Sequence, residues 1–131
     1  RALFSAIPGD QHGFGALMID EVFARAGWES EALIDPQRRE LLSVISRKPF
    51  DLVGLTVTND CPSSALQSLI RAIRTVSSNP QTCIMIGGRM VNANPNIADE
   101  VGADGTANDA FAALELAEQM VAKTGLVLNP T

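Results

Sequence analysis

The run Asp51-Leu52-Val53-Gly54-Leu55-Thr56-Val57, a helical stretch with Leu66, Leu69, Ile70, Ile73 and Val76 on one side, and the run Thr82-Cys83-Ile84-Met85-Ile86 together decide the fold of this chain. The two runs have strand length and are bounded by turn residues. The stretch between them keeps its apolar residues on one helical stripe, while Gln67, Arg71 and Arg74 point away. Two strands joined by so long a helical crossover pair in parallel.

The same alternation continues outward in both directions. Apolar runs recur at Ala2 to Ile7 and Trp28 to Ile34, with a weaker fifth at Ala103 to Thr106. Between them fall the helical patterns Phe14, Leu17, Met18 and Val22, stopped by Gly27, then Leu41, Leu42 and Ile45. Ala110, Ala113, Leu114, Ala117 and Val121 mark the last helix. Asp35-Pro36 and Asn94-Pro95 place a capping side chain before a proline suited to the first helical position, and Cys61-Pro62, near Asp60, starts a third helix. About five strand–helix units imply a flavodoxin-like, doubly wound, five-stranded parallel sheet covered on both faces. In such a sheet ligands lie beyond the carboxyl ends of the strands, here near the first and third.

Composition agrees with one domain over 1–131. The chain has 131 residues, of which 46% are hydrophobic and 19% charged, with a mean hydropathy of +0.12. That is too apolar for disorder and sufficient for a real core. A formal charge of −5 and a pI near 4.7 leave no basic field for nucleic acid or an anionic membrane. No apolar run approaches the roughly 18 residues of a membrane helix. Cys61 and Cys83 fit a reducing compartment. Arg1 opens directly in an apolar run without a signal peptide, so the expectation is a piece of a longer cytoplasmic protein.

The unusual residues sit in the predicted strand-end loops. The first reads Pro8-Gly9-Asp10-Gln11-His12-Gly13-Phe14-Gly15 and holds the single histidine of the chain. A neutral imidazole ligates a metal through one nitrogen while its other N–H donates to a carboxylate, and Asp10 stands two residues away. Gly13 and Gly15 permit close approach to the backbone. On the other reading, Asp10 only caps the next helix and His12 is a solvated loop residue. After the third strand come Thr56, Val57 and Thr58, whose hydroxyls suit a buried polar group, although threonine is also a good strand residue. The fourth strand ends in Gly87-Gly88-Arg89: room for a ligand and a partner for phosphate or carboxylate, or an ordinary turn with a solvated arginine.

Several chemistries fall away. The Gly13-x-Gly15 pair continues to Met18, which leaves the dinucleotide fingerprint incomplete, and no Walker-type Gly-Lys-Ser/Thr occurs. A phosphoacceptor receiver needs an acidic cluster, an aspartate closing the third strand and a lysine after the fifth. This chain has Asp10 alone, Thr56 to Thr58, and no lysine between Gly102 and Asp109. One histidine without Cys-x-x-Cys does not make a protein-only zinc site, and no nucleophile–base arrangement is placed for catalysis. A single histidine still holds a metal whose other ligands come from a macrocycle.

Asp10-x-His12-x-x-Gly15, a hydroxyl-bearing turn after the third strand and Gly87-Gly88 after the fourth resemble the cobalamin-binding domain, in order and over essentially the whole chain. The resemblance implies a histidine that displaces the dimethylbenzimidazole base as lower cobalt ligand, with the freed nucleotide tail threaded beside the sheet. It implies His12 as axial ligand, Asp10 as its hydrogen-bond partner and Gly15 at the close approach. Gln11 and Gly13 belong to the same loop. Thr56, Val57 and Thr58 stand where the family has Ser-x-Leu. Gly87 and Gly88 flank the tail, with Arg89 beside them, and Gly105 and Thr106 close the slot. The threonines depart from the family pattern, as does the missing helical bundle over the upper corrin face, which counts against an enzyme.

Gly27-Trp28, Phe50 to Leu55, Leu69 to Arg74 ending in Ser78-Asn79, and Ile86-Gly87-Gly88-Arg89 are similar to light and redox antirepressors of the AerR/PpaA type and to related haem-binding sensor domains. That likeness implies a cytoplasmic sensor that binds a tetrapyrrole and modulates a transcriptional repressor by protein contact, without direct nucleic-acid or membrane binding. Three alternatives remain. A haem sensor of the same fold predicts a tail slot plugged by side chains. A corrinoid subunit of a methyltransferase or mutase predicts methyl transfer once partner domains are supplied, and a ligand-free interaction module predicts indifference to tetrapyrroles.

Overall fold

The computed structural model describes residues 1–7, 14–34, 36–57, 62–88, 96–107 and 109–123. Strand and helix alternate along the chain: β1 Ala2–Ala6, α1 Phe14–Arg25, β2 Ser30–Leu33, α2 Arg38–Arg47 and β3 Leu52–Thr56, then α3 Ser63–Val76, β4 Cys83–Gly87, α4 Ile97–Val101, β5 Gly105–Ala107 and α5 Ala110–Lys123. The strands form one parallel sheet in the order β2-β1-β3-β4-β5. This is the flavodoxin-like order, in which the chain reverses its winding between β1 and β3.

Each strand divides its side chains between two cores. Leu3, Val53, Leu55, Ile84 and Ile86 meet Leu41 and Ile45 of α2, Leu66, Ile70 and Ile73 of α3, and Ile97 and Val101 of α4. The opposite face is built from Ala2, Phe4, Leu52, Cys83 and Met85 against Ala16 and Phe23 of α1 and Ala113 and Ala117 of α5. Burying each large aliphatic or phenyl group contributes about 1.5–3 kcal/mol. The first core is packed with branched side chains. The second mixes four alanines with Phe4, Phe23, Leu52 and Met85, and its small residues leave room for the site described below.

Some local details differ from the sequence expectations. Leu17 and Met18 are 41% and 54% exposed, because α1 turns Ala16, Ile19 and Phe23 toward the sheet. Neither Pro36 nor Pro62 opens its helix. Pro62 has φ −63° but ψ 139°, so it occupies the cap before Ser63; proline presets φ and leaves ψ free. The chain is likewise extended at Gln37, and α2 starts at Arg38, beyond Pro36. Asp35, Asp60, Cys61 and Asn94-Pro95 lie outside the described residues. The strands shift by a residue or two: β2 begins at Ser30 and β5 covers Gly105–Ala107.

At the amino end of the sheet, the α3–β4 connection is tied to the entry of β3. Thr82 Oγ1 donates to the Phe50 carbonyl at 2.6 Å and Asn79 Nδ2 donates to the same oxygen at 3.0 Å. Among the described residues no helix is long and apolar enough to cross a membrane.

Candidate functional site

The register puts Ala6 beside Thr56, Thr56 beside Gly87 and Gly87 beside Ala107. These four form the last row of the sheet on the α1/α5 face, since side chains of alternate residues share a face. A row so poor in volume cannot fill the space under two helices. An apolar cleft of about 240 Å³ opens there at the carboxyl end of the sheet.

Its walls come from three layers. The sheet contributes Phe4, Gly54, Thr56, Met85 and Gly87, α1 contributes Met18 and Ile19, and α5 contributes Ala110 and Ala113. Phe4 lies across Gly54 so closely that a Cβ on Gly54 would stand 2.6 Å from Phe4 Cδ1. Behind Phe4 the Phe23 ring packs at 4.7 Å between centroids, and Trp28 meets Phe23 edge-on at 5.1 Å. The floor of the cleft is therefore a supported aromatic ring.

The polar groups are few. Asp109 Oδ1 accepts the Ala112 N–H at 2.8 Å and so caps α5. Thr56 Oγ1 is buried and has no hydrogen-bond partner among the described residues. A buried hydroxyl without a partner costs about 1–3 kcal/mol, which a ligand atom can recover.

Backbone bonds fasten the strand ends around this hydroxyl. Ile7 N donates to Thr56 O at 3.3 Å and Val57 N donates to Gly87 O at 2.8 Å. Gly88 follows with φ +107°, and a Cβ there would lie 2.5 Å from Val57 O. Only glycine fits both the angle and the space.

The predicted site residues are placed unequally. Thr56, Gly87 and Gly88 come together on the cleft. Val57 is buried in the other core. Gly105 lies one pleat deeper, where a Cβ would meet Leu116 at 3.0 Å, and Thr106 is its neighbour on β5. Gly15 is the second residue of α1. Asp10, Gln11, His12, Gly13, Thr58 and Arg89 lie outside the described residues, on segments that leave the ends of β1, β3 and β4. Phe4, Gly54, Met85, Met18, Ile19, Ala110 and Ala113 were not foreseen as site residues. The paucity of volume at the strand ends was a usable signal for them, but it needs the register between strands to be read.

A second hollow, about 300 Å³ and open to solvent, lies at the opposite end of the sheet among Arg74, Gln81, Thr82, Cys83 and Asp104. Burial pushes the Cys83 thiol above its ordinary 9.0, the Asp104 carboxylate adds to the rise, Arg74 opposes it, and Asp51 adds a little more. A thiol held neutral is a poor nucleophile.

The B12 binding domain family matches residues 1–115, and the chain belongs to that family. Among solved structures it is similar to a cobalamin-binding protein from Desulfitobacterium hafniense, with a TM-score of 0.79 and 21% identity over 92% of this chain and 58% of that one. The monomethylamine corrinoid protein of Methanosarcina barkeri gives a TM-score of 0.72 and 21% identity over 90% of this chain and 56% of that one. The chain thus spans less than three-fifths of either corrinoid-protein chain. A chemotaxis protein of Vibrio cholerae, CheY4, shares the fold at a TM-score of 0.65 and 18% identity, over 91% of this chain and 97% of that one. No curated protein matches the chain.

Proposed function

We propose that this chain is a cobalamin-binding sensor domain which takes its ligand base-off, with His12 as the lower axial ligand, and reports ligand state to a transcriptional repressor through protein contact. The observation that carries the reading is the open cleft directly beneath the strand ends, lined on one side by Thr56, Gly87 and Gly88. The described residues fit a corrinoid tail. An apolar slot is ready for an aromatic base, and the bare Thr56 hydroxyl offers a hydrogen bond at the position where the family has serine.

In this reading His12 would hold the cobalt, and Asp10 would accept the other imidazole N–H, fixing the ring and raising its basicity. Gly88 lets the tail pass close to the backbone, while Met18, Ile19, Ala110 and Ala113 keep water from the slot. Bound cobalamin supplies a metal whose upper ligand can change with light or redox state. The chain's own part is to hold the lower face and the tail.

An open slot also favours cobalamin over haem, because the haem alternative calls for side chains in that space. Protein contact is supported by exposed Leu17 and Phe111 on α1 and α5, the two helices that wall the cleft. A binding module of this kind is not expected to catalyse a reaction alone.

Titration of the 131-residue chain with hydroxocobalamin, and separately with haemin, tests the reading by ultraviolet–visible spectroscopy. Saturable cobalamin binding with a base-off, His-on spectrum is the expected outcome, and His12→Ala should lose that spectrum while keeping the wild-type fold. Binding of haemin alone would move the protein to the haem branch. An unchanged cobalamin spectrum in His12→Ala would refute the axial-ligand assignment.

A further inference from the structure

The formal charge of −5 is not spread evenly over the fold. On one side of the sheet, α2 and α3 carry Arg38, Arg39, Arg47, Arg71 and Arg74 against the single carboxylate of Glu40. On the other side, α1 and α5 carry Asp20, Glu21, Glu115 and Glu118 against Arg25 and Lys123. Arg25 already pairs with Glu21 at 2.9 Å. The two helix pairs pack on opposite faces of the sheet, so the two sets of charge point away from each other.

Helical period orders each face. Arg39, Ser43 and Arg47 share the side of α2 away from the buried Leu41 and Ile45. Ser68, Arg71 and Thr75 take the equivalent side of the adjoining α3. Arg39 and Arg71 are exposed, whereas Arg74 is held by Asp104 at 3.0 Å and by the Gly102 carbonyl at 2.8 Å. On α5, Phe111, Glu115 and Glu118 form one stripe opposite the buried Ala113 and Ala117. Phe111 is 73% exposed, and both glutamates are exposed.

An aromatic face and a carboxylate are the two groups a guanidinium recognises best. It stacks on the first and pairs through its planar fork with the second. The α5 stripe therefore has the chemistry of an arginine receptor. The α2/α3 face of the same chain supplies the arginines, among exposed Ser43 and Ser68, which are too short to shield them.

We propose that the chain associates head to tail with a second copy of itself, the Phe111, Glu115 and Glu118 stripe of one molecule seated on the Arg39 and Arg71 face of the next. This extends the protein-contact part of the reading above and does not depend on its cobalamin part. The contact joins two different surfaces, so it does not close at two copies. A nucleic acid is disfavoured on the arginine face because the net charge of −5 repels a polyanion. At about 0.1 M salt the Debye length of about 10 Å screens the mutual repulsion of whole chains but not charges in contact, and at about 1 M it screens those too.

Sedimentation velocity of the 131-residue chain over a concentration series at these two salt levels tests the proposal. The sedimentation coefficient should rise with concentration at the lower salt, and association should weaken at least about threefold at the higher. Arg39→Glu/Arg71→Glu puts carboxylates where the stripe needs arginines, and Glu115→Arg/Glu118→Arg does the reverse on α5. Each variant alone should stay monomeric. An equimolar mixture should associate again, because the intact stripe of one meets the intact arginine face of the other. All four positions are exposed, and circular dichroism checks that each variant is folded. Phe111→Ala changes no charge and should weaken association about threefold.

A wild-type chain that is monomeric at every concentration would overturn the proposal. So would a mixture that fails to associate when wild type does, or undiminished association of either charge variant alone. A monomeric wild type that binds duplex DNA through Arg39 and Arg71 would give that face to nucleic acid instead. None of these failures touches the cobalamin reading, which is read from its spectrum.

Discussion

Replacing Gly54 with alanine probes the contact on which the floor of the cleft depends. The new methyl carbon would stand 2.6 Å from Phe4 Cδ1 and 2.8 Å from Cε1, about an ångström inside the optimal carbon–carbon separation of roughly 3.5–4.0 Å. Gly54 is not among the positive-φ glycines, so the backbone accepts alanine and the clash is the main penalty. Phe4 is 1% exposed, with Phe23 behind it, so its ring can escape only toward the cleft. Overpacking of this kind costs about 1–3 kcal/mol, offset by roughly 0.4–1 kcal/mol from a stiffer unfolded chain. The expected net loss is about 1–2 kcal/mol, or roughly 4–8 °C in Tm for a domain of this size. Urea denaturation of wild type, Gly54→Ala, Phe4→Leu and the double variant gives the coupling directly. The alanine should cost at least about 1 kcal/mol less when Phe4 is already leucine. A Gly54→Ala protein as stable as wild type, or the same cost in both backgrounds, would refute the reasoning. Cobalamin affinity should fall with Gly54→Ala as the displaced ring enters the cleft.

Other perturbations follow from the same geometry. Gly88→Ala forces a Cβ onto a backbone with φ +107° and into Val57 O; a loss of at least about 1–3 kcal/mol is expected in chemical denaturation, and neutrality would contradict it. Ala110→Leu fills the mouth of the cleft from the first residue of α5 and should weaken cobalamin binding while leaving cobinamide binding unchanged. Thr82→Val removes the hydroxyl that donates to the buried Phe50 carbonyl; about 1–2 kcal/mol of stability should be lost, with no change in ligand affinity. For Cys83, whose thiol is raised above 9.0 in the folded chain, the favourable contribution is complete below the unfolded thiol's pKa. It drains as pH rises toward the folded value, because the unfolded chain ionises first. Wild type should therefore lose stability more steeply than Cys83→Ala as pH rises past the ordinary thiol value of 9.0, and parallel slopes would count against the shift.

Much of this architecture was legible in the chain because it rests on period and punctuation. Ala2 to Ile7, Asp51 to Val57 and Thr82 to Ile86 are apolar runs of strand length, and the stripe from Leu66 to Val76 repeats at helical spacing. These are local consequences of which faces must leave water, so they specify a parallel sheet before any contact is known. The family was legible for a related reason: Asp10-x-His12-x-x-Gly15 and Gly87-Gly88 are short motifs at fixed places relative to strand ends, and the B12 binding domain family covers 1–115.

The helix boundaries and the slot were decided by tertiary structure. Pro62 carries a helical φ, yet its ψ of 139° keeps it outside α3. Leu17 and Met18 fit a helical stripe, but α1 rolls to bring Ala16 and Phe23 onto the sheet. The cleft exists because register aligns Ala6, Thr56, Gly87 and Ala107. Those residues come from four strands far apart in sequence, and hydrogen bonding between strands, which no local pattern encodes, sets them in one row. Sequence thus determined the kind of sheet and the family of its loops. The depth, apolarity and floor of the space beneath them arose only when Phe4 lay across Gly54 and the two helices closed over a row too small to fill it.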